Sequence, residues 1–335
     1  MYNTIQLQAL KSSGFEVTFV SGREYMKEAV GELGIRRADI PDKYFRPLRP
    51  SFRLLDAIRK KISDVSRLRA ALRIAGTVEH DAVILLSYEV ISYFFCQCRD
   101  KRVFLVNHNN VEHISNDRFK LLLTRRLYRN HSFVALSREM EGRLRELLPG
   151  RNVCFVPHGI PSLDKYEALP APASRYVFIM SDSSCDTALL NSILDHKEEV
   201  MSLKRKGVEI IVKTREKGFT QDVTFINRRL ADDEYYSLIK GALMVFLPYD
   251  KSFQCRTSGI LHECFALNVP VVTSDIPAFQ EYRPLVTDHE LMIGNADAFY
   301  KACEAIIDGD RKAGYTGLEA LAPGSYWKTI LETEI

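Results

Sequence analysis

Short runs of β-branched and apolar residues alternate with helix-length stretches along almost the whole chain, and this alternation constrains the fold more than any other feature. Val83–Leu86, Val103–Val106 and Phe133–Leu136 are such runs, and stretches with a helical spacing of apolar residues lie between them. The pattern is typical of βαβ units, in which helices cover both faces of a parallel sheet. The sequence therefore predicts an α/β fold.

A stretch with two prolines interrupts this alternation near the middle of the chain. Residues 163–174 read L-D-K-Y-E-A-L-P-A-P-A-S, show little periodicity and are typical of a linker. The alternation then restarts, and a chain of 335 residues is long enough for two domains. We therefore expect Rossmann-like domains at 1–162 and 175–322 that face each other across a cleft, followed by a helix at 323–335.

Apolar segments and cysteines indicate the cellular location of the protein. The longest apolar run, Ala82–Cys96, contains Glu89 and is too short and too polar to span a bilayer. Neither a basic segment nor a long apolar segment follows Met1, so we expect a cytoplasmic location. The seven cysteines are odd in number and irregular in spacing, which favours buried free thiols over disulfides or a zinc site.

Basic residues are concentrated in the first half of the chain. Residues 1–150 contain 26 Lys and Arg against 17 Asp and Glu, whereas residues 151–335 contain 20 against 26. In Arg53–Ala75, apolar residues recur at helical spacing among many Lys and Arg, and the loop before it, Pro41–Ser51, adds Lys43, Arg46 and Arg49. Such a segment is either an ordinary surface helix with solvated charges or a helix that binds an anionic membrane surface. The second interpretation predicts peripheral membrane association through Arg46–Arg73.

The residues best suited to chemistry lie between Leu247 and Pro284, which reads as strand, loop, helix, strand and loop. Thr257, Ser258 and Gly259 open the helix, where free backbone N–H groups and the helix dipole favour a phosphate. Glu263 lies one turn later on the same face, and its side chain leans toward the helix start. It is suited to accept hydrogen bonds from the hydroxyls of a nucleotide ribose, although a plain core helix with a solvated glutamate has the same spacing.

This stretch resembles the donor half-site of GT-B glycosyltransferases, particularly the retaining enzymes of the family 4 type. In them a glycine-containing loop opens a helix that bears a glutamate, and a G-x-P-V-V strand follows, here Asn268-Val269-Pro270-Val271-Val272. Other motifs match in order over about 320 residues: Asn107-His108-Asn109-Asn110-Val111-Glu112, Phe133-Val134-Ala135-Leu136-Ser137, Phe155-Val156-Pro157-His158-Gly159-Ile160, Val223-Thr224-Phe225-Ile226 with Asp232-Asp233-Glu234, and Ser325-Tyr326-Trp327.

The resemblance implies an enzyme of the hexosyl type that moves a sugar from a UDP- or GDP-sugar to a glycan or lipid-linked acceptor with retention. It implies a role in polysaccharide or glycoconjugate biosynthesis, no metal and no other cofactor. His108 and Glu263 would be catalytic, and Asn109 and Glu112 would face the acceptor. A loop histidine that caps the next helix is the simpler interpretation of His108. The last helix would cross back to the first domain, as it does in this fold.

This sequence departs from the family pattern in three places. Cys255 stands where a first glutamate is usual. The neighbouring R-T-S-G motif resembles that of a variant subgroup, which uses Arg256 and Ser258 in this site. The usual Arg/Lys pair after the first strand of the second domain is missing, so Lys213, Arg229 and Arg256 are expected to neutralise the diphosphate. The family's first strand and glycine loop would precede Tyr2.

Two other classes of function compete with a glycosyltransferase. Cys255 and the apparently missing first strand favour a catalytically silent GT-B subunit that binds a nucleotide or a partner glycosyltransferase. The basic first half suggests nucleic acid, but the sequence has no recognisable nucleic-acid-binding motif, so no nucleic-acid partner is expected.

Overall fold

The computed structural model describes residues 2–45, 53–99, 102–181, 184–214, 222–309 and 313–333. The chain forms two compact units, one made of residues 1–159 and 322–335 and the other of residues 160–321. The predicted basic segment begins outside the described residues, because 46–52 precede the first described turn of its helix.

The first unit contains parallel strands in two sheets. Its helices are α1 (Tyr2–Ser12), α2 (Lys27–Glu32), α3 (Arg53–Ala75), α4 (Val90–Phe94), α5 (Asn110–Asn116), α6 (Arg118–Arg125) and α7 (Arg138–Leu147), and the chain's last helix, Pro323–Thr333, joins them. Its strands are β1 (Thr18–Gly22), β2 (Arg36–Ile40), β3 (Val83–Leu85), β4 (Val103–Val106), β5 (His131–Ala135) and β6 (Asn152–Phe155). β1 pairs with β2, and the other four form a sheet in chain order.

The C-terminal helix is held to the first helix by a buried polar contact. Trp327 is fully buried, and its indole N–H donates to the Gln6 side-chain oxygen at 2.6 Å. The Gln6 amide nitrogen in turn donates to the His158 carbonyl at 2.9 Å. Gly159 follows with a φ of +87°, and an added Cβ would lie 2.5 Å from an Ile5 methyl carbon. Only glycine fits this turn without strain, which accounts for its place in the predicted motif.

The second unit is one six-stranded parallel sheet with helices on both faces. Its helices are α8 (Asp164–Glu167), α9 (Thr187–Asp195), α10 (Lys197–Arg205), α11 (Asp232–Gly241), α12 (Gly259–Ala266) and α13 (Ala296–Asp308), which makes the chain's last helix α14. Its strands are β7 (Arg175–Ser181), β8 (Val208–Thr214), β9 (Thr224–Ile226), β10 (Met244–Leu247), β11 (Val271–Ser274) and β12 (Met292–Ile293). 3₁₀ helices lie at Lys251–Phe253, Pro277–Leu285 and Leu318–Leu321 of this unit and at Asp42–Phe45 of the first unit.

The strand order of this sheet identifies where a ligand belongs. The order β12-β11-β10-β7-β8-β9 is the Rossmann order, and it reverses between β7 and β10. The crevice beyond the carboxyl ends of the two strands at such a reversal is the usual ligand site of an open α/β sheet. The loops after β7 and β10 meet there.

Several elements differ from the sequence-based expectation. The helix between the apolar runs Val83–Leu86 and Val103–Val106 is short, Val90–Phe94, and the Glu89 carboxylate caps its start by accepting from the Ser92 N–H at 2.9 Å. Residues 163–174 lie within the second unit, where Leu163 is buried and the Tyr166 ring stacks on Tyr236 at 4.1 Å. Aromatic packing thus gives the start of this proline-containing stretch a helical structure.

Candidate functional site

The loop after β10 brings the R-T-S-G motif to the strand reversal of the second unit. Ser258 is 2% exposed and is the N-cap of α12, because its Oγ accepts from the Leu261 N–H at 3.2 Å. The Tyr249 hydroxyl lies 3.1 Å from the same Oγ. Ser258 therefore fixes the start of the helix with its side chain, and it is the backbone there that is suited to meet an anion.

Open space adjoins the first residue of α12. Apart from the adjacent residues and the backbone of its own helix, a Cβ added at Gly259 would meet no protein atom within 4 Å, so packing does not demand glycine at this position. Thr257, directly before the N-cap, is partly exposed. A helix start with adjacent open space is suited to a phosphate group, which backbone N–H groups bind together with the helix dipole.

Glu263 lies one turn further along α12 and is 9% exposed. Burial raises the pKa of its carboxyl group to about 7, although the Tyr235 hydroxyl, which donates to Oε2 at 2.7 Å, acts in the opposite direction. The carboxyl group is therefore close to half-ionised at neutral pH. In its ionised form it can only accept hydrogen bonds, which is the behaviour that ribose hydroxyls require.

Arg256 joins the two loops that meet at the strand reversal. Its Nη1 donates to the Ser184 Oγ at 3.1 Å, and the Asp250 N–H donates to the Ser184 carbonyl at 2.8 Å. Ser184 has a left-handed φ of 53°, and residues 182–183 of the same loop lie outside the described residues. The guanidinium thus has a structural partner at the edge where a diphosphate is expected.

The two other expected cations differ in their surroundings. Lys213 is buried near the carboxyl end of β8, in register with Met180 of β7, so it lies at the same edge of the sheet as the loops described above. Arg229 is exposed in the loop before α11. Lys213 is therefore the better placed of the two to approach the strand reversal.

Cys255 and Asn268 stand where the family motifs have a glutamate and a glycine, and the structure shows how each fits the fold. Cys255 is 3% exposed and is a free thiol, which is a much weaker hydrogen-bonding group than the carboxylate of the usual glutamate. Asn268, at the position of the family's glycine before β11, has a left-handed φ of 53°. Asparagine adopts this conformation more readily than most residues, so the turn is preserved without glycine.

His108 follows β4 in the first unit. Its Nε2 donates to the Leu86 carbonyl at 3.0 Å, and burial lowers the pKa of its imidazole, so the ring is neutral near pH 7. The Tyr2 ring packs edge-on against it at 4.2 Å between centroids. The bond to Leu86 leaves Nδ1 as a hydrogen-bond acceptor.

The two residues expected to face an acceptor lie at the start of α5. Asn109 is the N-cap but makes no side-chain capping bond, and Glu112 is in the first turn. The structure thus brings His108, Asn109 and Glu112 together in the first unit and Arg256, Ser258, Gly259 and Glu263 together in the second. Tyr235 and Tyr249, which hold Glu263 and Ser258, were not expected from the sequence, because nothing in their local pattern marks them.

No known protein family model matches the chain, and no curated protein is significantly similar to it. Solved structures are similar over nearly its whole length. They include WaaG, a glycosyltransferase involved in lipopolysaccharide biosynthesis (12% identity, 99% of this chain and 96% of that one, TM-score 0.55). They also include a UDP-forming α,α-trehalose-phosphate synthase from Burkholderia xenovorans (9% identity, 94% of each chain, TM-score 0.57) and the glycotransferase of kitacinnamycin (14% identity, 99% and 95%, TM-score 0.53).

These similarities establish the fold: the chain has the GT-B fold, with two Rossmann-like domains and parallel sheets. Within the described ranges, no helix is both long and apolar enough to cross a membrane. The same part of the chain contains no group of three or more His, Cys, Asp or Glu side chains arranged to hold a metal ion. The independence from metal that the family resemblance implies stays a prediction.

Proposed function

We propose that the protein is a glycosyltransferase that takes its sugar from a nucleoside-diphosphate sugar of the UDP or GDP type. The observation that carries the proposal is the pairing of an open helix start at Gly259 with the buried carboxyl of Glu263, at the strand reversal of a Rossmann sheet. The first feature suits a phosphate and the second suits a ribose. Solved structures of the same fold include glycosyltransferases, which supports this reading.

Each residue then has a distinct role. The backbone at Ser258 and Gly259 stabilises the charge that develops on the departing diphosphate, aided by Lys213 and Arg256. His108 is neutral and offers Nδ1 to a hydroxyl of the sugar. Glu112 and Asn109 bind the acceptor, a glycan or a lipid-linked glycan. The proposal includes transfer of a hexosyl group with retention of the anomeric configuration. It places this reaction in polysaccharide or glycoconjugate biosynthesis.

The direct test is release of free UDP or GDP from a panel of nucleotide sugars in the presence of glycan and lipid-linked acceptors. A preceding thermal-shift screen selects the nucleotide, because a ligand at a hundred times its Kd adds about 2.7 kcal/mol of stability. Acceptor-dependent release with one sugar supports the proposal. Stabilisation by a nucleotide without release under any condition supports the second candidate, a catalytically silent subunit, which the buried Cys255 favours.

Arg256→Ala is expected to weaken UDP binding about tenfold and to change uridine binding by less than twofold. The reason is that the guanidinium acts on the phosphates, and a hydrogen bond to a charged group is worth roughly 1.5–3 kcal/mol. Calorimetry with UDP and with uridine measures both. Lys251→Ala, which removes an exposed cation from the same loop, serves as the control. An equal loss for UDP and uridine would show that Arg256 acts only through Ser184.

We further propose that α3 brings the protein to anionic membrane surfaces. Ile58 and Ile62 on this helix are 49% and 60% exposed, although they are apolar. Arg59 and Lys60 lie between them and are exposed as well. Apolar side chains flanked by cations are the combination that binds a headgroup layer.

Liposome co-sedimentation is expected to require anionic lipid and to weaken as salt rises, because the charges are screened within about 10 Å at 0.1 M salt. Arg59→Glu with Lys60→Glu should reduce the bound fraction several-fold. Arg143→Glu, on α7, reverses a partly exposed charge elsewhere in the same unit and should have little effect. Equal recovery in the supernatant with neutral and with anionic vesicles would refute the membrane proposal.

A further inference from the structure

Glu263 is held by tyrosines from a different helix. The Tyr235 hydroxyl on α11 donates to Oε2 at 2.7 Å, and Tyr235 and Tyr236 pack edge-to-face with centroids 5.0 Å apart. The Tyr236 ring in turn stacks on Tyr166 of α8 at 4.1 Å. The contact to Glu263 therefore belongs to a packed aromatic cluster, which fixes where the Tyr235 hydroxyl lies.

The direction of this hydrogen bond matters for binding. A tyrosine hydroxyl that donates to a carboxylate stabilises the ionised form, and a buried carboxyl without such a donor takes up a proton instead. A protonated carboxyl group donates one hydrogen bond and accepts poorly. An ionised one has about four lone-pair positions, so it can accept from Tyr235 and still accept from a ribose.

The other titratable groups that face the carboxyl also bear on its charge. They are Tyr236 and Asp232 on α11, Tyr249 after β10, and Cys264 on α12. Asp232 raises the pKa of Glu263, whereas the Tyr236 hydroxyl lowers it by hydrogen bonding. Tyr235 makes the largest contribution in favour of the ionised form.

We propose that Tyr235 is a positioning residue of the nucleotide site, which holds the Glu263 carboxyl group in place and favours the ionised form that accepts the ribose hydroxyls. The proposal deepens the proposed function and rests on it for the identity of the ligand. It assigns a role to the Tyr-Tyr pair of α11 and to the aromatic packing of α8 beneath it.

The test is the pH dependence of nucleotide binding by Tyr235→Phe. The phenyl ring keeps the packing and removes only the donor, so the midpoint of UDP binding should move up by about one pH unit. Affinity should then be about fivefold weaker than the parent's at pH 7 and nearly equal to it at pH 9. Tyr300→Phe removes another buried tyrosine hydroxyl, which donates to the Ile193 carbonyl at 2.6 Å, and should leave the midpoint unchanged.

A loss of affinity by the same factor from pH 6 to pH 9, or no loss at pH 7, would overturn the proposal. Titration of the carboxyl itself by NMR of ¹³C-labelled glutamate, assigned with Glu263→Gln, gives a second measurement that needs no nucleotide. If the parent binds neither UDP nor GDP, the proposed function fails. The shifted titration in Tyr235→Phe would still establish the positioning role, and an unshifted titration would exclude it.

Discussion

Glu263→Gln is expected to weaken nucleotide binding tenfold to a hundredfold at pH 8 and, at the same pH, to raise the free energy of unfolding by about 3 kcal/mol. Both effects come from one buried charge. The carboxylate accepts ribose hydroxyls in the complex, and in the free protein its desolvation opposes folding. A substitution that stabilises the fold and also weakens binding is typical of a residue in a binding site.

The sign of the pH dependence follows from the raised pKa of this carboxyl group, about 7 in the folded protein against about 4.3 for an unfolded chain. The folded state therefore holds the proton more tightly, and Glu263 destabilises the fold progressively as pH rises from about 4.3 to about 7. Above pH 7 this destabilisation is complete and constant. Nucleotide binding behaves in the opposite way, because it needs the ionised form and weakens as pH falls through 7.

Chemical denaturation of the parent and Glu263→Gln from pH 5 to pH 9 measures the stability effect, and calorimetry with UDP and GDP measures binding. The two proteins should differ by only about 1 kcal/mol at pH 5 and by about 3 kcal/mol at pH 8 and above. Glu209→Gln, an exposed position on β8, controls for the loss of a surface charge. A difference in stability that is the same at every pH would contradict the role of burial at Glu263.

Trp327→Ala is expected to lower the stability of the first unit by about 3–5 kcal/mol, the usual loss for a buried tryptophan. The indole is fully buried, packs edge-on against Phe104 and donates to Gln6. Its removal leaves a cavity and a buried amide oxygen without its donor. The contact between α14 and α1 should weaken most.

Thermal unfolding followed by circular dichroism measures this loss, since Trp327 is the only tryptophan and its fluorescence disappears with it. Lys328→Ala, at the adjacent exposed position, is the matched control and should unfold like the parent. A Trp327→Ala melting temperature within about 1 °C of the parent's would show that the contact of α14 with α1 does not stabilise the unit.

The fold was predictable from the sequence where strands are apolar on both faces. β4, β5, β7 and β10 have continuous apolar runs, because helices cover both sides of their sheets. β2 reads Arg-Arg-Ala-Asp-Ile and is mostly solvent-accessible, so no apolar run indicated it. β2 is recognised only from its parallel pairing with β1, which brings together residues 18 positions apart in the chain.

The candidate site was predictable only where it is continuous in sequence. The helix start at Ser258 and the glutamate one turn later fall within one motif, so the spacing was sufficient. Tyr235 lies 28 residues before Glu263, and only the packing of α11 against α12 brings them together. Arg256 and Ser184 are 72 residues apart in the chain. Their contact could not be predicted from the sequence either, because it depends on the loops after β7 and β10 meeting in the fold.

In the proposed function, the loop after β10 and the start of α12 form the nucleotide site. Hydrogen–deuterium exchange with and without UDP or GDP tests it most directly, because peptides covering Tyr249–Glu263 report on the site itself. We expect slower exchange in these peptides with one of the two nucleotides and unchanged exchange in α7 of the first unit. Slowed exchange confined to other segments, or none at saturating concentrations of either nucleotide, would contradict it.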